Sequence, residues 1–145
     1  MKNYNLIASE EKNFCVCSCL QAIFDFEGKK ISQKDISKKL NLGKEGFKIH
    51  DDKIKEFLFE TGFNYVFYWR NETPLNEPEL VLDDMKKEHG LVGIKNHSYL
   101  FYDFKYPQIN LIDPNDGKIK TRDYDEMIKE MYNSEGFFAL IKKIN

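Results

Sequence analysis

Asn13-Phe-Cys-Val-Cys-Ser-Cys-Leu-Gln-Ala-Ile-Phe24, running on into Asp25-Phe-Glu-Gly28, is the stretch on which the fold turns. Apolar or small residues at 15, 19, 22, 23 and 26 recur at helical spacing, and Glu27-Gly28 reads as a stop, so a buried helix is predicted from Cys15 to Phe26. Cys15 then stands at a helix N-terminus. A free thiol is a weak nucleophile until its proton leaves, and both the positive end of a helix dipole and a nearby imidazolium lower its pKa.

Far downstream, His97 opens one strand-like run and Asp113 closes the next, sixteen residues on. A hairpin brings such positions side by side. His97 could then act as general base toward Cys15, with Asp113 fixing its tautomer and ring orientation. The Cys15 backbone N–H at the helix start could donate to the oxyanion of a tetrahedral intermediate. Taken singly, each residue has a plainer reading. A buried helical cysteine is usually a small hydrophobe, a lone histidine is more often a surface or edge-strand residue, and Asp113-Pro114 is an ordinary turn opener. Only their joint order and spacing point to a site. Helical spacing puts Cys19 a turn beneath Cys15, in the core, while Cys17 is expected to project elsewhere, partly exposed.

Working outward, Ser32 with Asp35 three residues later reads as a capping box for a second helix to Leu40, and Gly43 and Gly46 then mark a loop. Asp51 or Asp52 is expected to cap a third helix, with Ile54, Phe57 and Leu58 inward and Gly62 as its stop. Phe63 to Trp69 reads as a strand, and Asn76, Pro78 and Glu79 open a fourth helix expected to end at Gly90. Strands are predicted over Leu91 to Lys95, His97 to Phe104, Ile109 to Ile112 and Lys118 to Thr121, then a short helix from Asp123 to Met131 and a closing strand from Gly136 to Lys142. Helices first and an antiparallel sheet second imply an α+β fold in one domain, 1–145.

With 145 residues, 41% of them hydrophobic, and 12 Phe, 8 Tyr and 1 Trp, the chain can bury a proper core. Its 22 basic and 24 acidic residues leave a net charge of −2 without long like-charge runs, so no nucleic-acid partner is expected. No segment reads as a signal peptide or a membrane span, and three cysteines crowded together do not form a disulfide framework; a soluble cytoplasmic protein without a membrane partner is expected. Cys-x-Cys-x-Cys lacks a second ligand pair at zinc spacing, and His50, His89 and His97 are scattered, so no metal is expected. Gly43-Lys-Glu-Gly46 matches no phosphate-binding signature, so no nucleotide cofactor is expected either.

The residues from Asn13 to Phe24, then Gly28 and Ile31 to Ile36, the Gly46-Phe47 helix region, the His97 strand and Leu111-Ile-Asp-Pro-Asn-Asp-Gly117 together resemble the papain-like cysteine peptidases of the bacteriocin-processing, double-glycine leader peptidase type, over nearly the whole chain. There the nucleophile is followed four residues later by another Cys and then Leu, as Cys15, Cys19 and Leu20 are here. The resemblance implies a papain-like fold with N-terminal helices packed on a C-terminal antiparallel sheet, and Cys15, His97 and Asp113 in the three catalytic roles. Two positions depart from it. The family's usual oxyanion Gln, six residues before the nucleophile, is Ser9, and Val16 replaces the usual Gly; loss of an oxyanion donor costs about 100-fold or more in turnover. Ser9 and Asn13 are the candidate replacements.

The leader peptidases of this type are parts of membrane exporters, whereas this sequence reads as a lone soluble domain. Related papain-like proteins, such as butirosin-type acyltransferases, use the same Cys and His to move an acyl group from a carrier-protein thioester onto an amine. The expectation is therefore a Cys15 acyl-thioester enzyme on an acyl or peptidyl substrate, leaning to amide formation with a carrier-protein partner. Cleavage of a specific peptide or leader is the alternative, and a non-catalytic binding or immunity module is a third reading. Tyr99, Phe101 and Tyr102 on the His97 strand are expected either to line a dry acceptor groove or to pack in the core.

Overall fold

The computed structural model describes residues 2–40, 51–69 and 78–144. The loop expected at Gly43 and Gly46, His50 and the Asn76 cap lie outside them. The described residues form five helices and six strands: α1 (Cys15–Phe26), α2 (Gln33–Lys39), α3 (Asp51–Glu60), β1 (Phe63–Trp69), α4 (Pro78–Lys87), β2 (His89–Ile94), β3 (His97–Lys105), β4 (Gln108–Asp113), β5 (Lys118–Asp123), α5 (Tyr124–Asn133) and β6 (Phe137–Lys143). The strands make one antiparallel sheet in the order β1-β6-β2-β3-β4-β5.

The sheet is covered on both faces, which is why its central strands read as near-continuous apolar runs. Strand β2 is buried at every position. Because side chains alternate across a strand, Leu91, Leu100, Ala139 and Ile141 join α1, α2 and α3 in one core. Their neighbours Val92, Phe101, Phe138 and Leu140 join Leu82, Met85, Met127 and Met131 of α4 and α5 in the other. Each large side chain withdrawn from water adds roughly 1.5–3 kcal/mol of transfer free energy, so the two cores clamp the sheet from opposite sides. The first three helices pack on a mainly C-terminal sheet as expected; the second layer of helices was not foreseen.

Local signals explain the boundaries. The Ser32 hydroxyl accepts the Asp35 N–H at 3.1 Å and caps α2, and Asp123 caps α5 by accepting the Glu126 N–H at 3.0 Å. Gly62 ends α3 at φ +98°, as a helix stop requires. Asp51 and Asp52, expected as caps, both fall inside the first turn of α3. Gly90 is not the stop of α4: the helix ends at Lys87 and Gly90 pairs with Leu140 inside β2. Its missing Cβ makes room for the Met85 thioether of α4, which a side chain there would strike. Lys95, expected in the strand, belongs to the following turn.

Residues 2–14 precede α1 as a strap without helix or strand, and α1 departs from two expectations. The Ser18 hydroxyl of α1 donates to the Ile7 carbonyl at 2.6 Å, so the strap lies along the side of α1 that an amphipathic helix would turn to water. Cys17, expected to be partly exposed, is completely buried in the core shared with α2 and α3, as is Cys19. Phe26, expected inward, is 41% exposed; its ring meets Tyr4 of the strap at 5.4 Å between centroids. Among the described residues, no helix is long and apolar enough to cross a membrane.

Candidate active site

Helix α1 begins immediately at Cys15, with buried Phe14 in the capping position. Phe14 offers no side-chain cap, and the first turn carries no acidic residue. The positive end of the helix dipole is thus left uncompensated at Cys15, which favours a thiolate there. Cys15 is half-buried and free.

His97 reaches the same place by a tight hairpin. Lys95 and Asn96 both take positive φ, 51° and 61°, in a two-residue turn that sets His97 opposite Ile94. In the next hairpin Leu100 faces Ile112, a register that brings Asp113 to the same end of the sheet. The imidazole Nε2 lies 2.9 Å from Asp113 Oδ1, and the two side chains are only 20% and 16% exposed. That carboxylate oxygen also accepts the Asn115 N–H at 2.9 Å, while the Gly117 N–H closes the turn on the Asp113 carbonyl at 2.8 Å. With Nε2 engaged by Asp113, Nδ1 is the ring nitrogen left to meet Cys15. Tyr99 packs edge-on to the imidazole, its centroid 4.7 Å away at 88°.

The electrostatics follow from these contacts. Burial pushes the Cys15 thiol upward, but its hydrogen bond with His97, backbone hydrogen bonds at Ser98 and Val16 and the imidazolium charge outweigh burial, so the thiol lies below its ordinary 9.0. His97 moves the other way. Its hydrogen bond with Cys15, and then those interactions with Asp113 that favour the cation, overcome desolvation and hold it above 6.5. A depressed thiol facing a raised imidazole is the signature of a thiolate–imidazolium pair. The other cysteines are inert by comparison: burial drives Cys17 up to about 12 and Cys19 well above 9.0. Cys19 donates to the Ser98 carbonyl at 3.8 Å, beneath the site.

The two oxyanion candidates lie on the strap. The Ser9 N–H donates to the Pro114 carbonyl at 2.7 Å, which brings Ser9 to the turn beginning at Asp113. Its hydroxyl is buried and has no hydrogen-bond partner among the described residues. Asn13 is half-buried in the turn just before α1. Of the three aromatics on β3, Phe101 is 2% exposed and belongs to the core beneath α4 and α5, whereas Tyr99 and Tyr102 are half-buried.

Two polar residues near the strap carried no sequence signal. Gln33, at the first position of α2, is completely buried. His89, one of the scattered histidines, is 1% exposed in a second network: Nδ1 lies 2.6 Å from the Tyr4 hydroxyl and Nε2 lies 2.9 Å from Glu27 Oε1, which Lys143 also approaches through Oε2 at 3.2 Å. That network ties the strap to the end of α1 and to β6. Among the described residues, no three His, Cys, Asp or Glu side chains are grouped as a metal site.

No family model and no curated protein matches the sequence. Solved structures do match its fold. A double glycine motif protease from an AMS/PCAT transporter, in complex with the leader peptide, superposes with a TM-score of 0.73 at 16% identity, over 98% of this chain and 93% of that one. The peptidase domain of Streptococcus ComA, a bi-functional ABC transporter of a quorum sensing pathway, gives 0.71 at 15% identity, covering 97% of this chain and 99% of that one. A Bacillus anthracis protein described as a C39-like peptidase gives 0.73 at 7% identity, over 100% and 98% of the two chains. The chain has the papain-like fold of double-glycine peptidase domains.

Proposed function

We propose that this chain is a cysteine peptidase that opens a specific peptide bond through an acyl-thioester on Cys15. One observation carries the reading: a thiol below its ordinary pKa meets an imidazole above its own, and that imidazole is held at 2.9 Å by a mostly buried carboxylate. Cys15 Sγ attacks the scissile carbonyl, and the tetrahedral oxyanion is met by the Cys15 N–H and the Ser9 hydroxyl, with Asn13 the other candidate donor. The imidazolium of His97 gives its proton to the leaving amine as the C–N bond breaks. Water, deprotonated by His97, then cleaves the thioester and restores the thiol. Asp113 holds the ring through both steps.

The first half-reaction is shared with amide-forming acyl transfer, in which an amine replaces water at the thioester. The neighbours reverse the preference drawn from sequence: all three are described as proteases or peptidases, and one holds a leader peptide. That supports a peptidyl substrate of the leader type, and a carrier-protein partner has no support of that kind.

The test begins with acylation. Incubation with p-nitrophenyl acetate should place one acetyl group on Cys15 and release p-nitrophenolate, and Cys15→Ala or His97→Ala should abolish this while leaving the circular dichroism unchanged. Discharge of the acyl-enzyme by water at an undiminished rate in the presence of glycinamide supports a hydrolase. Quantitative capture by the amine would favour the amide-forming reading, and a Cys15 that takes no acyl group and alkylates like an inert thiol would favour the binding module.

A further inference from the structure

Gln33 is a polar side chain with no exposure, and its whole hydrogen-bonding capacity is directed at the strap and at α1. Its Oε1 accepts the Glu10 N–H at 3.0 Å. Its Nε2 donates toward the Ile7 and Ala8 carbonyls, both at 3.1 Å, and toward Gln21 Oε1 at 3.0 Å. The orientation of the amide is fixed by its partners, since a backbone N–H needs an acceptor and two carbonyls need a donor. These bonds fall on both sides of Ser9 and skip Ser9 itself. Ser9 is held instead by a different element, through its N–H on the Pro114 carbonyl. The segment is thus bonded both to α2 and to the turn that carries Asp113, with the Ser9 hydroxyl buried and without a hydrogen-bond partner among the described residues.

A buried hydroxyl without a partner has given up its hydration for no hydrogen bond in return, which is costly. Such a group persists only where the surrounding structure holds it in place, and a donor held in readiness is what an oxyanion site requires. We propose that Gln33 is the positioning residue of the oxyanion pocket: it fixes the strap on either side of Ser9 so that the Ser9 hydroxyl is aimed before substrate arrives. This rests on the reading of Ser9 as an oxyanion donor. Gln21, which accepts from Gln33, keeps the amide turned toward the strap.

Two reactions of the same sulfur separate this role from general structural support. Iodoacetamide alkylates a thiolate by displacement at a saturated carbon: the S–C bond forms, iodide leaves and no oxyanion develops. Acylation by p-nitrophenyl acetate passes through a tetrahedral oxyanion before p-nitrophenolate leaves. Gln33→Met, which keeps the length of the side chain and removes its polar atoms, should slow acylation of Cys15 about tenfold or more while leaving alkylation within about twofold. In a Ser9→Ala background the same substitution should slow acylation no further. Equal losses in both reactions, or a full second loss in the Ser9→Ala background, would overturn the proposal.

Should Gln33→Met not fold, Gln21→Leu is read in the same pair of reactions. A selective loss of acylation supports the assignment, and unchanged or equally reduced rates overturn it. If Ser9→Ala acylates at the wild-type rate, the premise about Ser9 fails. If the wild-type protein does not acylate at all, the peptidase reading fails, and the two failures are thereby told apart.

Discussion

Replacement of Asp113 by Asn tests the electrostatics of the site most directly. The carboxylate sits 2.9 Å from His97 Nε2 with both side chains mostly buried, so solvent screens the pair only in part. A hydrogen bond to a charged group contributes about 1.5–3 kcal/mol, so Asp113→Asn, which removes a carboxylate that favours the imidazolium, should lower the His97 pKa. The Cys15 thiolate is stabilised by that same imidazolium, so its titration should move upward toward 9.0. The amide oxygen can still accept the Asn115 N–H, so the turn is retained. Because the same oxygen, Oδ1, meets both the Asn115 N–H and His97 Nε2, an amide oxygen in that place also keeps its contact with the ring and removes only the charge. The assay is the rate of Cys15 alkylation by iodoacetamide across pH 5–10, a range set about the ordinary histidine and cysteine values. Wild type should show its inflection below 9.0, and Asp113→Asn should react about tenfold or more slowly at neutral pH, with the inflection displaced upward. Superimposable profiles would refute the view that Asp113 stabilises the imidazolium.

Iodoacetamide at neutral pH should modify one cysteine in the native protein, because Cys17 and Cys19 are completely buried and raised in pKa; mass spectrometry finding label at either before unfolding would contradict this. The stability of the protein should also reflect His89, which is held below 6.5 chiefly by desolvation. Its unfolded form binds the proton more readily, so the stability it provides is full above about pH 6.5 and declines as pH falls from 6.5 through the folded value. His97, raised, works in the opposite sense, contributing below 6.5 and losing that contribution as pH rises through its folded value. Comparison with His89→Gln isolates the first effect: thermal melts should show a smaller acid loss in the variant, and an unchanged loss would count against it. Gly93→Ala should destabilise the protein by about 1–3 kcal/mol through overpacking, because a Cβ there runs into the Phe137 ring, which stacks on Phe67 at 4.9 Å between centroids. Urea unfolding with an unshifted midpoint would show that the ring yields freely.

Much was legible in the sequence because it rests on short-range rules. The helix from Cys15 to Phe26, the Ser32 cap, the Gly62 stop and the strands from β3 to β6 follow from periodicity and from turn chemistry acting within a few residues. His97 and Asp113 could be paired because a hairpin ties spatial proximity to spacing along the chain. Gly90 misled for an instructive reason: its local signature is that of a helix stop, while its role is to admit Met85 from another element.

The sequence by itself determined most of the elements and three residue types suited to acyl transfer. Only the tertiary structure decided which side of α1 would meet water, since the strap that is bonded to Ser18 approaches from outside the helix and leaves no periodic trace. It likewise decided that Gln33 and His89 would be buried, because a polar side chain can be withdrawn from solvent only where partners from distant segments satisfy it. The pKa displacements of Cys15 and His97 belong to the same class: they arise from contacts between the start of a helix and the ends of two strands, and no window of sequence contains both.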